Sequence, residues 1–132
     1  MKLKWSKHWN ASKRPSKQRK YRYNAPLHIQ RSFLSTHLSP ELRKKYTLRN
    51  ITIRKGDKVK IMRGQYKKKT GKVMRVLTIS QKIYIEGIEV TKKDGSKAQV
   101  PLHPSNLMIT ELDLTDKYRK EKLEKKKTKE KK

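Results

Sequence analysis

The sequence predicts a mainly β protein: a small barrel of short strands, with a basic amino-terminal arm carrying short helices and a basic, partly helical carboxy-terminal tail. Three observations carry this. Between residues 51 and 112, β-branched residues alternate with polar ones in short runs separated by turn signals, the pattern of a small closed or nearly closed sheet. The region ahead of it has few strand signals, and the one behind it is rich in lysine. The net charge of +27 on 132 residues divides into +13 over residues 1–50, +9 over 51–112 and +5 over 113–132, so three regions are expected: arm, barrel and tail.

In the middle region the spacing predicts strands over 57–62, 71–79, 82–86, 88–92, 96–102 and 107–112. Val59 and Ile61 alternate with Lys58 and Lys60, which places the lysines outside. The inward set is Val59, Ile61, Val73, Val76, Ile83, Ile85, Ile88, Val90, Ala98, Val100, Leu107 and Ile109. Met74 and Arg75 interrupt the alternation between Val73 and Val76, so a bulge is expected there. Asp94-Gly95 marks a hairpin turn within Lys93 to Ser96. Gly64 and Gly71 bracket a tight turn and are expected to supply positive φ. That turn carries Lys67, Lys68 and Lys69, whose mutual repulsion makes sense chiefly opposite a polyanion. Asp57 is read as a turn hydrogen-bonding residue.

The amino-terminal region holds two helix starts. Ser39 caps a helix with Pro40 at its first position and Glu41 in its first turn, running to about Tyr46. Asn24 to Pro26 opens another through Phe33, with Leu27, Gln30, Arg31 and Leu34 at helical spacing. Residues 1–23 read as an arm without a core, in which Arg14, Lys17, Arg19, Lys20 and Arg22 interleave with Tyr21 and Tyr23. Arginine binds phosphate bidentately or stacks on bases, and tyrosine stacks on unpaired bases, so the arm is expected to fold on RNA. Trp5 and Trp9 lie four apart and suit either packing or base stacking. In the tail, Thr115 is a candidate cap, Glu121 precedes Lys125 by one helical turn, and the isolated helix is expected to be marginal.

Composition narrows the function classes. A charge of +27 cannot be neutralised internally, and 32% hydrophobic residues with a mean hydropathy of −1.12 leave much of the chain in need of a partner. Cysteine is absent, which excludes disulfides and thiolate metal sites. His8, His28, His37 and His103 have no ligand-like spacing, so no metal is expected; His28 and His103 are read as hydrogen-bond donors to backbone or RNA. Glu86 and Glu89 lack the companions of a catalytic pair. No apolar run is long enough to insert in a membrane, and a cytoplasmic protein is expected. Neither an enzyme nor a cofactor is expected.

The pattern Gly56-Asp57, Val59, Gly64, Lys67, Gly71, Val73, Val76 and Ile85-Glu86-Gly87 resembles the KOW motif of ribosomal proteins and transcription elongation factors. With residues 14–46 and the later DGSKAQVPLHPSNLMIT, nearly the whole chain resembles the universal large-subunit ribosomal protein twenty-four family in its archaeal and eukaryotic form, the eukaryotic large-subunit protein twenty-six. The resemblance implies an SH3-like barrel, binding to the 5′ domain of large-subunit rRNA, a role early in assembly and a place near the polypeptide exit tunnel. Implied partners are rRNA, neighbouring large-subunit proteins and exit-site factors, with no homo-oligomer. The candidate RNA-binding set is Arg14, Lys17, Arg19, Lys20, Arg22, His28, Arg31, Arg63, Gln65, Tyr66, Lys67, Lys68, Lys69, Lys72 and His103. The barrel would act as a wedge between RNA helices while arm and loop neutralise phosphates. A KOW-bearing transcription elongation or regulatory factor and a DNA-compacting protein are the competing readings. The first would need a further polymerase-contacting domain, and the second has no need of the H-P-S and N-A-P-x-H-I elements.

Overall fold

The computed structural model describes residues 5–6 and 11–129. Two helices, α1 (Pro15–Asn24) and α2 (Leu27–Phe33), lead into β1 (Ser35–Leu38), α3 (Pro40–Tyr46) and β2 (Asn50–Thr52). Then come β3 (Lys58–Ile61), β4 (Thr70–Leu77), β5 (Lys82–Ile85), β6 (Glu89–Thr91), β7 (Lys97–Gln99), a 3₁₀ turn (Pro104–Asn106), β8 (Leu107–Glu111) and α4 (Lys117–Lys129). Six strands form one mixed sheet in the order β2-β1-β8-β3-β4-β5, while β6 and β7 form a separate hairpin. Paired backbone hydrogen bonds between Ile83 and Leu102, both 2.9 Å, curl the β5 edge toward the chain that leads into β8. The result is a mainly β, barrel-like fold.

Period-2 burial drives these strands. Val59 and Ile61 in β3, Ile83 and Ile85 in β5, and Leu107 and Ile109 in β8 are buried, with outward residues between them. They pack with Leu34, Leu38, Ile53, Val73 and Ile88 into one core. All six expected strands are present, most with slightly shorter limits, and the expected bulge appears as a register shift between Val73 and Arg75. In the hairpin loop, Gly95 N–H donates to the Lys92 carbonyl and Gly95 takes φ +80°, while the Asp94 carboxylate accepts from the Ser96 N–H and hydroxyl. The Ser96 hydroxyl, the larger cause, and the Ser96 N–H hold the Asp94 carboxyl below its usual value.

Several expectations are corrected. Val90 is 46% exposed, because β6 lies outside the main sheet and has no inner face to bury. Gly71 does not have positive φ; it sits in β4 where a Cβ would come within 2.6 Å of Ile85 Cγ2 and 2.7 Å of the Glu86 carbonyl oxygen. The core is not confined to 51–112, since Leu34 and Leu38 belong to it and β1 lies inside the sheet. Residues 15–24 are helical, with Pro15 at the start and Arg22 in the last turn. That helix buries no residue, yet Tyr21 stacks with Trp5 at 5.2 Å between ring centroids and lies 6.3 Å from the Phe33 ring. The Trp5 indole N–H also donates to the Tyr21 carbonyl at 3.1 Å, so Trp5 packs on α1; Trp9 and His8 lie outside the described residues.

The two expected helix starts hold: Pro26 precedes α2, and the Leu42 N–H donates to Ser39 Oγ at the start of α3. At α4 the side chain that receives the helical N–H is Asp116, from Tyr118 at 3.0 Å, and not Thr115. The tail helix is anchored by Leu123, 1% exposed, and by Arg119, 4% exposed. Arg119 places Nη1 2.6 Å from Asp57 Oδ1 and Nη2 2.7 Å from Asp57 Oδ2, beneath the start of β3. Asp57 also accepts the Arg54 N–H, which is the expected turn bond, and the Asp113 N–H. The expected Glu121–Lys125 pair involves a side chain outside those described.

Candidate nucleic-acid interface

The β3–β4 connection is a tight, internally bonded loop. Ile61 and Lys69 close its neck through an N–H to carbonyl bond of 2.9 Å, and Lys68 N–H returns to the Ile61 carbonyl at the same distance. Inside, Lys67 N–H donates to the Gly64 carbonyl and Lys69 N–H to the Tyr66 carbonyl. Gly64 takes φ +91° without penalty, and Lys68 adopts φ +74°, a left-handed conformation that L residues seldom take. With its backbone groups paired internally, the loop presents Arg63, Gln65, Lys67, Lys68 and Lys69 as exposed side chains on a preformed frame.

Tyr66 is the half-buried member of the loop. Its hydroxyl donates to the Glu89 carbonyl at 3.3 Å, and the Lys69 ammonium lies 5.3 Å from its ring centroid. A cation over a tyrosine face is held electrostatically, so Tyr66 both ties the loop to the β6–β7 hairpin and steadies one of its lysines. Lys72 is exposed in β4, directly opposite Lys58, whose ammonium pairs with Glu111 at 2.8 Å. The exposed Lys58–Glu111 pair contributes little to stability but partly offsets two cations facing each other. His103 adjoins this region, because the Met62 N–H donates to the Asn106 carbonyl at the end of the same 3₁₀ turn. Its Nδ1 accepts from the Ser105 N–H at 3.3 Å, so in the neutral ring the proton is on Nε2, the nitrogen through which the ring can donate.

The remaining candidates form a second group. Arg14, Lys17, Arg19, Lys20 and Arg22 are exposed on or just before α1, and His28 and Arg31 are exposed one turn apart on α2. Three acidic residues cluster elsewhere. Asp57, Asp113 and Asp116 meet Arg54 and Arg119 around a cleft below the sheet. Thr115, chiefly through its hydroxyl, holds the Asp113 carboxyl below its usual value, and the Arg54 side chain does the same for Asp116. Sequence reasoning did not single out Lys60, His37, Arg43 or Arg49 as contacts. His37 and Lys60 are placed by strand register, and Arg43 and Arg49 by hydrogen bonds to Leu38, none of which is a property of one local run. Among the described residues no group of three or more His, Asp or Glu side chains is placed to hold a metal ion.

The basic loop, the helical arm and the barrel frame lie within the span of one family. The family of the eukaryotic ribosomal proteins L26 and their archaeal L24 counterparts matches residues 12–126. The chain belongs to it. The large ribosomal subunit protein uL24 of Korarchaeum cryptofilum (strain OPF8) is 49% identical over 115 residues, covering 87% of this chain and 88% of that protein. Membership in this family makes the chain a ribosomal protein, resident on cytoplasmic ribosomes. Both α1 and the β3–β4 loop fall inside the family match, as does the anchored start of α4.

Proposed function

We propose that this chain is a structural constituent of the large ribosomal subunit that binds large-subunit rRNA, acting in its 5′ domain early in assembly and remaining near the polypeptide exit tunnel. The observation that carries the reading is the β3–β4 loop: three consecutive exposed lysines on a turn whose backbone is bonded to itself. Such a loop loses little conformational entropy on meeting a phosphate backbone, and binding releases the counterions condensed on the RNA. The exposed cations of α1 and α2 supply a second set of phosphate contacts, and the barrel is the frame between RNA helices. In this reading the arm ahead of β1 and the lysine-rich tail add RNA contacts to the barrel frame, which includes β1 and β2. Neighbouring large-subunit proteins are its other partners, and exit-site factors would reach its solvent side.

Sucrose-gradient fractionation of a lysate, followed by protein–RNA crosslinking in the particle that holds the chain, tests this. Recovery with large subunits and their precursors, with crosslinks from the Lys67–Lys69 loop to 5′-domain rRNA, is the expected result. Recovery only in free or polymerase-bound fractions would overturn it.

A further inference from the structure

We propose that His37, Arg43 and Arg49 form a second binding site for RNA backbone phosphate, at the opposite end of the sheet face that carries the Lys67–Lys69 loop. The proposal rests on the RNA-binding reading above. It starts from register. His37 in β1 pairs with Met108 in β8, Met108 pairs with Lys60 in β3, and Lys60 pairs with Thr70 in β4. Directly paired residues share a sheet face. Leu38, Ile109 and Val59, each the neighbour of one of these, are fully buried, so the row His37, Met108, Lys60, Thr70 lies on the outer face. Thr70 directly follows Lys69. Three interstrand steps of about 4.8 Å separate the row's two ends by roughly 14 Å, a span that a few phosphates of one strand can cover.

At the His37 end the cations converge. The Arg43 Nε donates to the carbonyl of Leu38 at 2.8 Å, which pins its guanidinium beside the strand and leaves the two Nη groups for a ligand. The backbone of Arg49 is fixed nearby, its carbonyl accepting the Leu38 N–H at 3.0 Å, and Arg49 precedes Asn50, the β2 partner of His37. From α3 the ring feels Arg43, and from the β2 side Arg49. The partner in β8 is Met108, and the neighbouring 3₁₀ turn, Pro104 to Asn106, has no ionisable side chain. The other charged residues of α3, Glu41, Lys44 and Lys45, are exposed to solvent. Arg43 and Arg49 both act on the half-buried imidazole and no carboxylate does, so this end of the row carries a concentration of positive charge.

A phosphate there accepts bidentately from a guanidinium and reverses the electrostatics of the ring. In the free protein burial first, and then Arg43 and Arg49, hold His37 below 6.5. Bound phosphate favours the imidazolium and raises that value. Between the free and bound values, binding takes up a proton, so affinity increases as pH falls through that interval and is indifferent to His37 above it.

The test measures affinity for a large-subunit rRNA transcript against salt and pH in the full chain, and follows the His37 ring by NMR with and without a saturating short RNA duplex. We expect the ring to titrate higher when RNA is bound, and His37→Asn to lose the acid-side gain in affinity. Arg43→Gln with Arg49→Gln should reduce the log–log salt slope by about 0.7 to 0.9 per lost phosphate contact. The ring titration needs no variant and so stands even if the arginine pair proves necessary for folding. An unshifted ring together with a wild-type salt slope in the arginine variant overturns the proposal. If binding then still depends on Lys67, Lys68 and Lys69, the RNA-binding reading survives; a wild-type chain that does not bind the transcript overturns both.

Discussion

Arg119 of the tail helix grips Asp57 at the start of β3 fork to fork, at 2.6 and 2.7 Å, with 4% and 0% of the two side chains exposed. The same guanidinium donates to the Asp113 carbonyl at 2.9 Å and the Thr52 carbonyl at 3.3 Å. A buried ion pair contributes little compared with an apolar replacement of both partners, but removing one partner leaves the other charge unpaired in the interior. Arg119→Met is therefore expected to cost about 3–5 kcal/mol. Urea unfolding of the free protein measures it, and a wild-type midpoint would show that α4 is dispensable to the barrel.

Replacing Lys67, Lys68 and Lys69 together by alanine should weaken binding to large-subunit rRNA and flatten its salt dependence by about 0.7 to 0.9 log units per lost phosphate contact. The barrel should keep its melting temperature, since all three side chains are exposed. Filter binding over a salt series checks the slope, and an unchanged slope would remove the loop from the interface.

Core and contact residues should separate cleanly in the RNA-free protein. Ile85→Ala empties a site that is 1% exposed, at an expected loss of about 2–5 kcal/mol. Arg19→Ala and Arg22→Ala alter a helix that buries nothing, so they should leave the melting temperature nearly unchanged while lowering RNA affinity. If those arginine variants destabilised the barrel as much as Ile85→Ala does, α1 would have to be counted as part of the frame.

Gly71→Ala should destabilise without touching charge. The added methyl would meet Ile85 Cγ2 at 2.6 Å and the Glu86 carbonyl oxygen at 2.7 Å, and the second of these is backbone that cannot rotate away. Overpacking of this kind costs about 1–3 kcal/mol. Thermal melting reads it directly; an unaffected melting temperature would mean that β5 can shift away from β4 freely.

The barrel strands were legible because β3, β5 and β8 each bury alternate side chains, and period 2 survives in the sequence. Val90 misled for the same reason: the alternation is real, but the hairpin that carries it has no core beneath it. β1 was invisible, since Ser-Thr-His-Leu has one large apolar residue and its place in the sheet is set by distant partners. α1 was missed because it is polar all round and lacks an apolar stripe. Arg119 was indistinguishable from the basic run around it, as nothing local marks it as the cation that is buried among the described residues. Of the candidate site, the lysine loop could be read from its glycines, whereas the row through His37 and Lys60 could not, because register joins strands far apart in the chain.

The position of β8 between β1 and β3 also governs how the chain can be made. Synthesis delivers β1 and β2 early, and they can zip together as a local antiparallel pair, yet one edge of β1 stays open until Met108 and Ile109 have been added. Parallel, non-local pairings form slowly, and an unpaired strand edge invites association with other chains in the interval. The strongly basic segment that precedes β1 is by then already outside and able to engage a polyanion, which would keep nascent copies apart. Completion of the sheet is thus a late event, and a chain truncated before residue 107 should accumulate as aggregate instead of as a smaller folded protein.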